Sequence, residues 1–113
     1  VANPQKNKGS LWERTVAGYF NLRGYPQVER RYGAGNTKDK GDLNGFAGAI
    51  VIECKDHKSI TLSTFMDETA VEKENARAEI GLCIVKRARK PVEQAYCVLT
   101  LEDAITLLKE AGY

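Results

Sequence analysis

The sequence predicts an α/β domain, a central mixed β-sheet flanked by helices. Three observations carry this expectation. Ala49 to Lys55 is apolar on both alternating faces at its start, which marks a strand covered on two sides. Helix-spaced apolar positions occur before and after the strand-like stretches, and a capping pattern marks a helix between them, so helices are at hand to do the covering. The chain has 113 residues, 42% of them hydrophobic, which is one domain with enough apolar surface for a core without staples.

Val1 to Lys8 is polar and lysine-bearing and reads as a flexible basic arm, leaving 9–113 as a single domain. Ser10 to Leu22 has apolar or small residues at Trp12, Thr15, Val16, Tyr19 and Leu22, the three-four spacing of a helix. Gly24 and Pro26 end it. Gln27 to Tyr32 is β-rich, and 33–40 is loop by composition. Gly41 to Asn44 is a short extended piece, Gly45 permits a turn, and Ala49 to Lys55 is the clearest strand. Thr64 with Asp67 three residues on resembles a capping box, starting a helix that runs to about Ala78. Leu82 to Lys86 and Ala95 to Leu99 are further strands, joined by the basic turn Arg87 to Pro91. Thr100, again with an aspartate at the third position, caps a last helix, with Leu101, Ala104, Ile105 and Leu108 as its buried stripe and Gly112 as its stop. The order is α-β-β-β-α-β-β-α.

Net charge is only +2, but it is unevenly spread. Residues 1–41 carry eight Lys and Arg against three acids, whereas 42–81 carry four against eight. The basic first third suits a polyanion. The longest apolar run, Phe46 to Ile52, is too short to cross a bilayer. Cys54, Cys83 and Cys97 are odd in number, lack metal-ligand spacing and lie in β-rich stretches. They read as reduced cysteines packed as small hydrophobes, which fits a cytoplasmic location. Walker spacing is absent from the Gly33–Lys38 loop, so no nucleotide cofactor is expected. Trp12, Tyr19 and Phe20 read as core or subunit interface.

The end of the clearest strand, Val51-Ile52-Glu53-Cys54-Lys55, resists explanation by packing. Alternation sends Glu53 and Lys55 to one face and Cys54 to the other. Asp42 lies eleven residues earlier, and a reversal through Gly45–Gly48 brings it beside this strand end. Two carboxylates then meet a lysine. Such a set suits Mg²⁺, a hard cation that takes oxygen ligands. A metal so held can activate water and polarise a phosphodiester, while the lysine orients the water and offsets developing charge.

Gly41-Asp42, the eleven-residue interval and Ile52-Glu53-Cys54-Lys55 resemble the PD-(D/E)XK nuclease signature. Lys8-Gly9-Ser10-Leu11-Trp12-Glu13-Arg14 resembles the Lys-Gly-x-x-x-Glu-Arg opening of archaeal-type Holliday junction resolvases. Gly41 stands where the signature has proline, and the loop lacks the serine often found near that family's site.

The resemblance implies a restriction-endonuclease-like αβββαβ core with an added strand and C-terminal helix. It implies catalytic Glu13, Asp42, Glu53 and Lys55. Asp42, Glu53 and the Cys54 backbone carbonyl would hold Mg²⁺ or Mn²⁺, and Glu13 would act through water or orient Lys55. The substrate implied is branched DNA, a four-way junction nicked twice by a homodimer, in a prokaryotic or phage-infected cell. Lys6, Lys8, Arg14, Arg30, Arg31, Lys38, Lys40, His57 and Lys58 are the expected DNA contacts. Phosphate contacts of this kind position a duplex without reading its bases. Arg87, Arg89 and Lys90 form a second basic patch. A flap, nicking or restriction-type nuclease keeps the same chemistry with another substrate. An inactive DNA-binding protein with this fold is the alternative of a different class.

Overall fold

Helix α1 (Pro4–Leu22) precedes a three-stranded antiparallel meander of β1 (Glu29–Arg30), β2 (Leu43–Asn44) and β3 (Ile50–Lys55). Helix α2 (Leu62–Ala76) crosses over to β4 (Ile80–Val85), which lies parallel to β3. A 3₁₀ turn at Val92–Gln94 leads to antiparallel β5 (Tyr96–Val98) and helix α3 (Leu101–Glu110). The computed structural model describes residues 4–31 and 39–113, with side chains from Lys8 onward. The five strands follow chain order across one mixed sheet, with β3 at its centre, consistent with the restriction-endonuclease-like core expected.

The two faces of the sheet are covered differently. Trp12, Val16 and Ala17 of α1 pack on Leu43, Ile52 and Ile84, and the Trp12 indole donates to the Ile84 carbonyl at 3.2 Å. On the other face Phe65 of α2 packs on Cys83 and Val85. Gly81 lets α2 come close, because a Cβ there would stand 3.0 Å from the Thr69 methyl. Asp103 at the start of α3 is buried, accepting from the Gly81 amide at 2.9 Å and from Lys73 at 2.7 Å.

Several expectations change. The first helix starts at Pro4, so 4–8 are helical and not a loose arm. Proline is well tolerated in a first helical turn, where its missing N–H costs no bond. Residues 1–3 lie outside the described residues. The Gln27–Tyr32 strand shrinks to two residues, and Tyr32 lies outside the described ones. Helix α2 begins after Thr61 with no side-chain cap, so the Thr64–Asp67 box falls inside it; left-handed Arg77 ends it. The α3 stripe is not buried: Leu101 is 76% exposed, and Ile105 and Leu108 face solvent, as does Leu22 of α1. Cys97 is exposed. The Thr100 cap forms as expected, its hydroxyl accepting from the Asp103 amide at 3.2 Å. No helix among the described residues is long and apolar enough to cross a membrane.

Candidate active site

Asp42 is fixed at the mouth of the β2–β3 ladder by three backbone partners. Its amide donates to the Ile52 carbonyl at 2.9 Å, its carbonyl accepts from Arg31 at 2.8 Å, and its Oδ2 accepts from the Cys54 amide at 2.9 Å. The side chain thus takes the place of a ladder partner where the two strands part. Gly41 before it has φ +95°, and a Cβ would stand 3.0 Å from Val51 and 3.1 Å from the Ile52 carbonyl. Proline, locked near φ −65°, could not adopt this backbone.

Glu53 and Lys55 leave β3 toward α2, as alternation requires. Glu53 is 5% exposed, and its Oε2 lies 3.5 Å from the Lys55 ammonium. Lys55 also pairs with Glu68 of α2 and stands over the Phe65 ring at 5.4 Å. Glu72, one turn further along α2, is buried beneath the sheet. It lies close enough to Glu53 for each to influence the other's proton. One oxygen from each of Asp39, Glu53 and Glu72 lies within 4.8 Å of the other two, an arrangement that could hold a metal ion.

Burial is the largest influence on these carboxyls and raises all of them. Asp42 is pushed up to about 8, first by burial and then by Glu53. Glu53 also rises to about 8, through burial opposed by Asp42 and reinforced by Glu72. Glu72 rises to about 7, through burial, opposed by Glu53 and reinforced by Asp39 and Asp42. Burial alone would lower the Lys55 ammonium, but its bond to Glu68 and the charges of Glu53, Glu68 and Glu72 hold it above its ordinary value. Two like charges about 4 Å apart repel by about 4 kcal/mol at a protein surface, more than one exposed ion pair returns. Lysine alone does not balance this set. Glu53 Oε1 and Glu72 Oε2, which meet no hydrogen-bond donor among the described residues, fit a hard divalent cation.

Glu13 faces the same region from α1. It accepts from Arg30 Nε at 3.0 Å, and its carboxyl is raised by burial and by the charge of Asp42, against Arg30. Arg30 also donates to Ser10 at 3.2 Å. Beyond Lys55 the surface turns basic. A cleft of about 620 Å³ is lined by Lys8, His57, Lys58, Lys86, Arg87, Arg89 and Lys90, with Asp56 as its acid. Asp56 pairs with Lys8 at 3.4 Å and Lys86 at 3.8 Å. His57 packs on Phe65 with ring centroids 5.0 Å apart, linking the cleft to the Lys55 contact.

The expected catalytic side chains Asp42, Glu53 and Lys55 therefore come together, with Glu13 behind Asp42. The Cys54 contact seen here is its amide on Asp42. Lys8, His57 and Lys58 join the basic cleft. Arg30 is engaged by Glu13, Arg31 is half-buried beside Asp42, and Arg14 and Lys40 are exposed. Lys38 and the Lys6 side chain lie outside the described residues. Sequence reasoning missed Asp39, Glu68, Glu72 and Lys86. Glu72 had a signal: it follows Phe65 by seven residues and Thr69 by three, on the helix face that packs inward.

No family model, curated protein or solved structure matches this chain.

Proposed function

We propose that this chain is a metal-dependent, structure-selective DNA endonuclease, a Holliday junction resolvase that makes paired nicks as a homodimer. The observation that carries this reading is the meeting of Asp42, Glu53 and Lys55 at the end of β3, with a basic cleft lined by His57 and Lys58 following directly in the chain. Mg²⁺, with Mn²⁺ able to substitute, would polarise the scissile phosphodiester and lower the pKa of a bound water. Asp42, Glu53 and the Cys54 carbonyl would hold it.

The chain's own groups do the rest. Lys55, fixed by Glu53 and Glu68, aims a positive charge at the place where negative charge grows in phosphodiester hydrolysis. Glu13, tied to Arg30, stands behind Asp42. The cations of the cleft would lie along phosphates of a duplex arm, setting its position without reading sequence. Two cuts in one junction need two sites, which a two-fold pair of such domains provides.

The test is a labelled immobile four-way junction incubated with the protein, with and without Mg²⁺. Paired, symmetric, Mg²⁺-dependent nicks are expected, and Asp42→Asn is expected to bind the junction without cutting it. Cutting by Asp42→Asn at the wild-type rate would refute the assignment. Faster turnover of flaps or plain duplex would move the substrate to another nuclease class, and junction binding without cutting under any metal would favour an inactive binding protein.

A further inference from the structure

Among the described residues, two buried carboxylate oxygens lack a hydrogen-bond partner, Glu53 Oε1 and Glu72 Oε2. The two residues are 5% and 2% exposed. An ionised carboxylate in such a place is strongly disfavoured unless something replaces its lost water. Glu72 gets no ion pair among the described residues, although it sits on the helix face that carries Phe65 and Thr69 into the core. An apolar residue of similar size would pack there without that cost.

A third oxygen completes the arrangement. Asp39 approaches from the segment before Gly41, and its position is fixed by two bonds. Asn75 of α2, three residues beyond Glu72, donates its side-chain amide to the Asp39 carbonyl at 2.8 Å. The Asp39 carboxyl accepts from the Gly41 amide at 2.9 Å. Helix α2 thus provides one acid and holds the backbone of another. Asp42 stands outside this trio, with one oxygen committed to the Cys54 amide.

We propose that Glu72, Asp39 and Glu53 form a second divalent-cation position, with Glu53 shared between it and the position served by Asp42. The ligands are all oxygens from three separate segments, the donor set of Mg²⁺ or Mn²⁺ and not of a thiolate-seeking metal. Two cations bridged by a carboxylate are a known arrangement in phosphodiester hydrolysis, one on each side of the breaking bond. The proposal rests on the nuclease reading for the Asp42 position, while the second position stands on its own three oxygens.

The experiment counts Mn²⁺ bound to the full chain without DNA, from the loss of the free-ion paramagnetic resonance signal. Wild type is expected to bind two equivalents. Glu72→Gln and Asp39→Asn should each bind one tightly, with affinity for the other lowered roughly tenfold or more. Asp42→Asn should lose the other equivalent. Asp39 is exposed, so its variant remains informative if Glu72→Gln does not fold, which circular dichroism checks. One equivalent or none in wild type overturns the proposal, as do two at unchanged affinity in both Glu72→Gln and Asp39→Asn. Two equivalents without cleavage of any DNA would sink the nuclease reading and still support the second position. Metal-dependent cleavage with a single equivalent would do the reverse.

Discussion

On the α1 side, β3 presents Ile50, Ile52 and Cys54 to a cluster around Trp12, Val16 and Leu43. On the α2 side the same strand presents Val51, Glu53 and Lys55, the last two to Glu68 and Glu72. Both faces exclude water, yet the energetics have opposite sign. Apolar burial on the α1 side stabilises by about 25 cal/mol per Å². Carboxylate burial on the α2 side costs free energy, and among the described residues the Lys55 ammonium is the one paired with Glu53 to offset it. One strand therefore secures the fold with one face and holds the strained acidic set with the other. Sites that bind or react commonly lower stability in this way.

The widest separation between the faces should appear in activity. Glu53→Gln, an isosteric change, is expected to lower junction cleavage on the order of 10³-fold or more, the scale of losing a preorganised charge-stabilising group. The same variant without metal should melt higher than wild type at pH 8, because a buried charge is gone. If it melts lower and still cleaves, the acidic face is ordinary structure.

Ile52→Ala probes the other side. Ile52 is fully buried, and its truncation should cost about 2–5 kcal/mol in urea unfolding. A loss well under 1 kcal/mol would mean that the α1 face does not anchor the sheet.

Stability against pH is the subtler contrast. Asp42 and Glu53 move from 3.8 and 4.5 to about 8, and Glu72 from 4.5 to about 7. Between those limits the folded state holds more protons than the unfolded chain, so stability falls as pH rises. Their contribution is fully present below about pH 4 and lost through about pH 8. In a chelator, the melting temperature should therefore be higher at pH 5.5 than at pH 8.5. Mn²⁺ should restore it at pH 8.5, because binding to the folded state stabilises by mass action. A metal-free melting temperature that climbs steadily over this interval would contradict the carboxyl assignment.

The α1 face and β3 were legible because their patterns are local. Trp12 and Val16 lie four apart, and Ile50 to Cys54 alternate. The meeting of Asp42 with Glu53 was legible because a glycine-rich reversal separates them by only eleven residues. The burial of Glu72 depends on which way α2 turns its face. The capping pattern puts its start at Thr64, whereas the helix begins after Thr61 and turns Phe65, Thr69 and Glu72 inward. On α3 the period was right and the buried side was wrong. Spacing defines an apolar face but not whether a neighbour covers it, and here Asp103, not Leu101, turns inward to Lys73 and Gly81.

All of these contrasts turn on the proposal that Glu53 holds a cation. Calorimetric titration of Mn²⁺ into wild type and Glu53→Gln at pH 8, both confirmed folded, addresses this directly. Saturable binding to wild type and none to the variant is the expected result. Equal binding by both proteins would contradict the account.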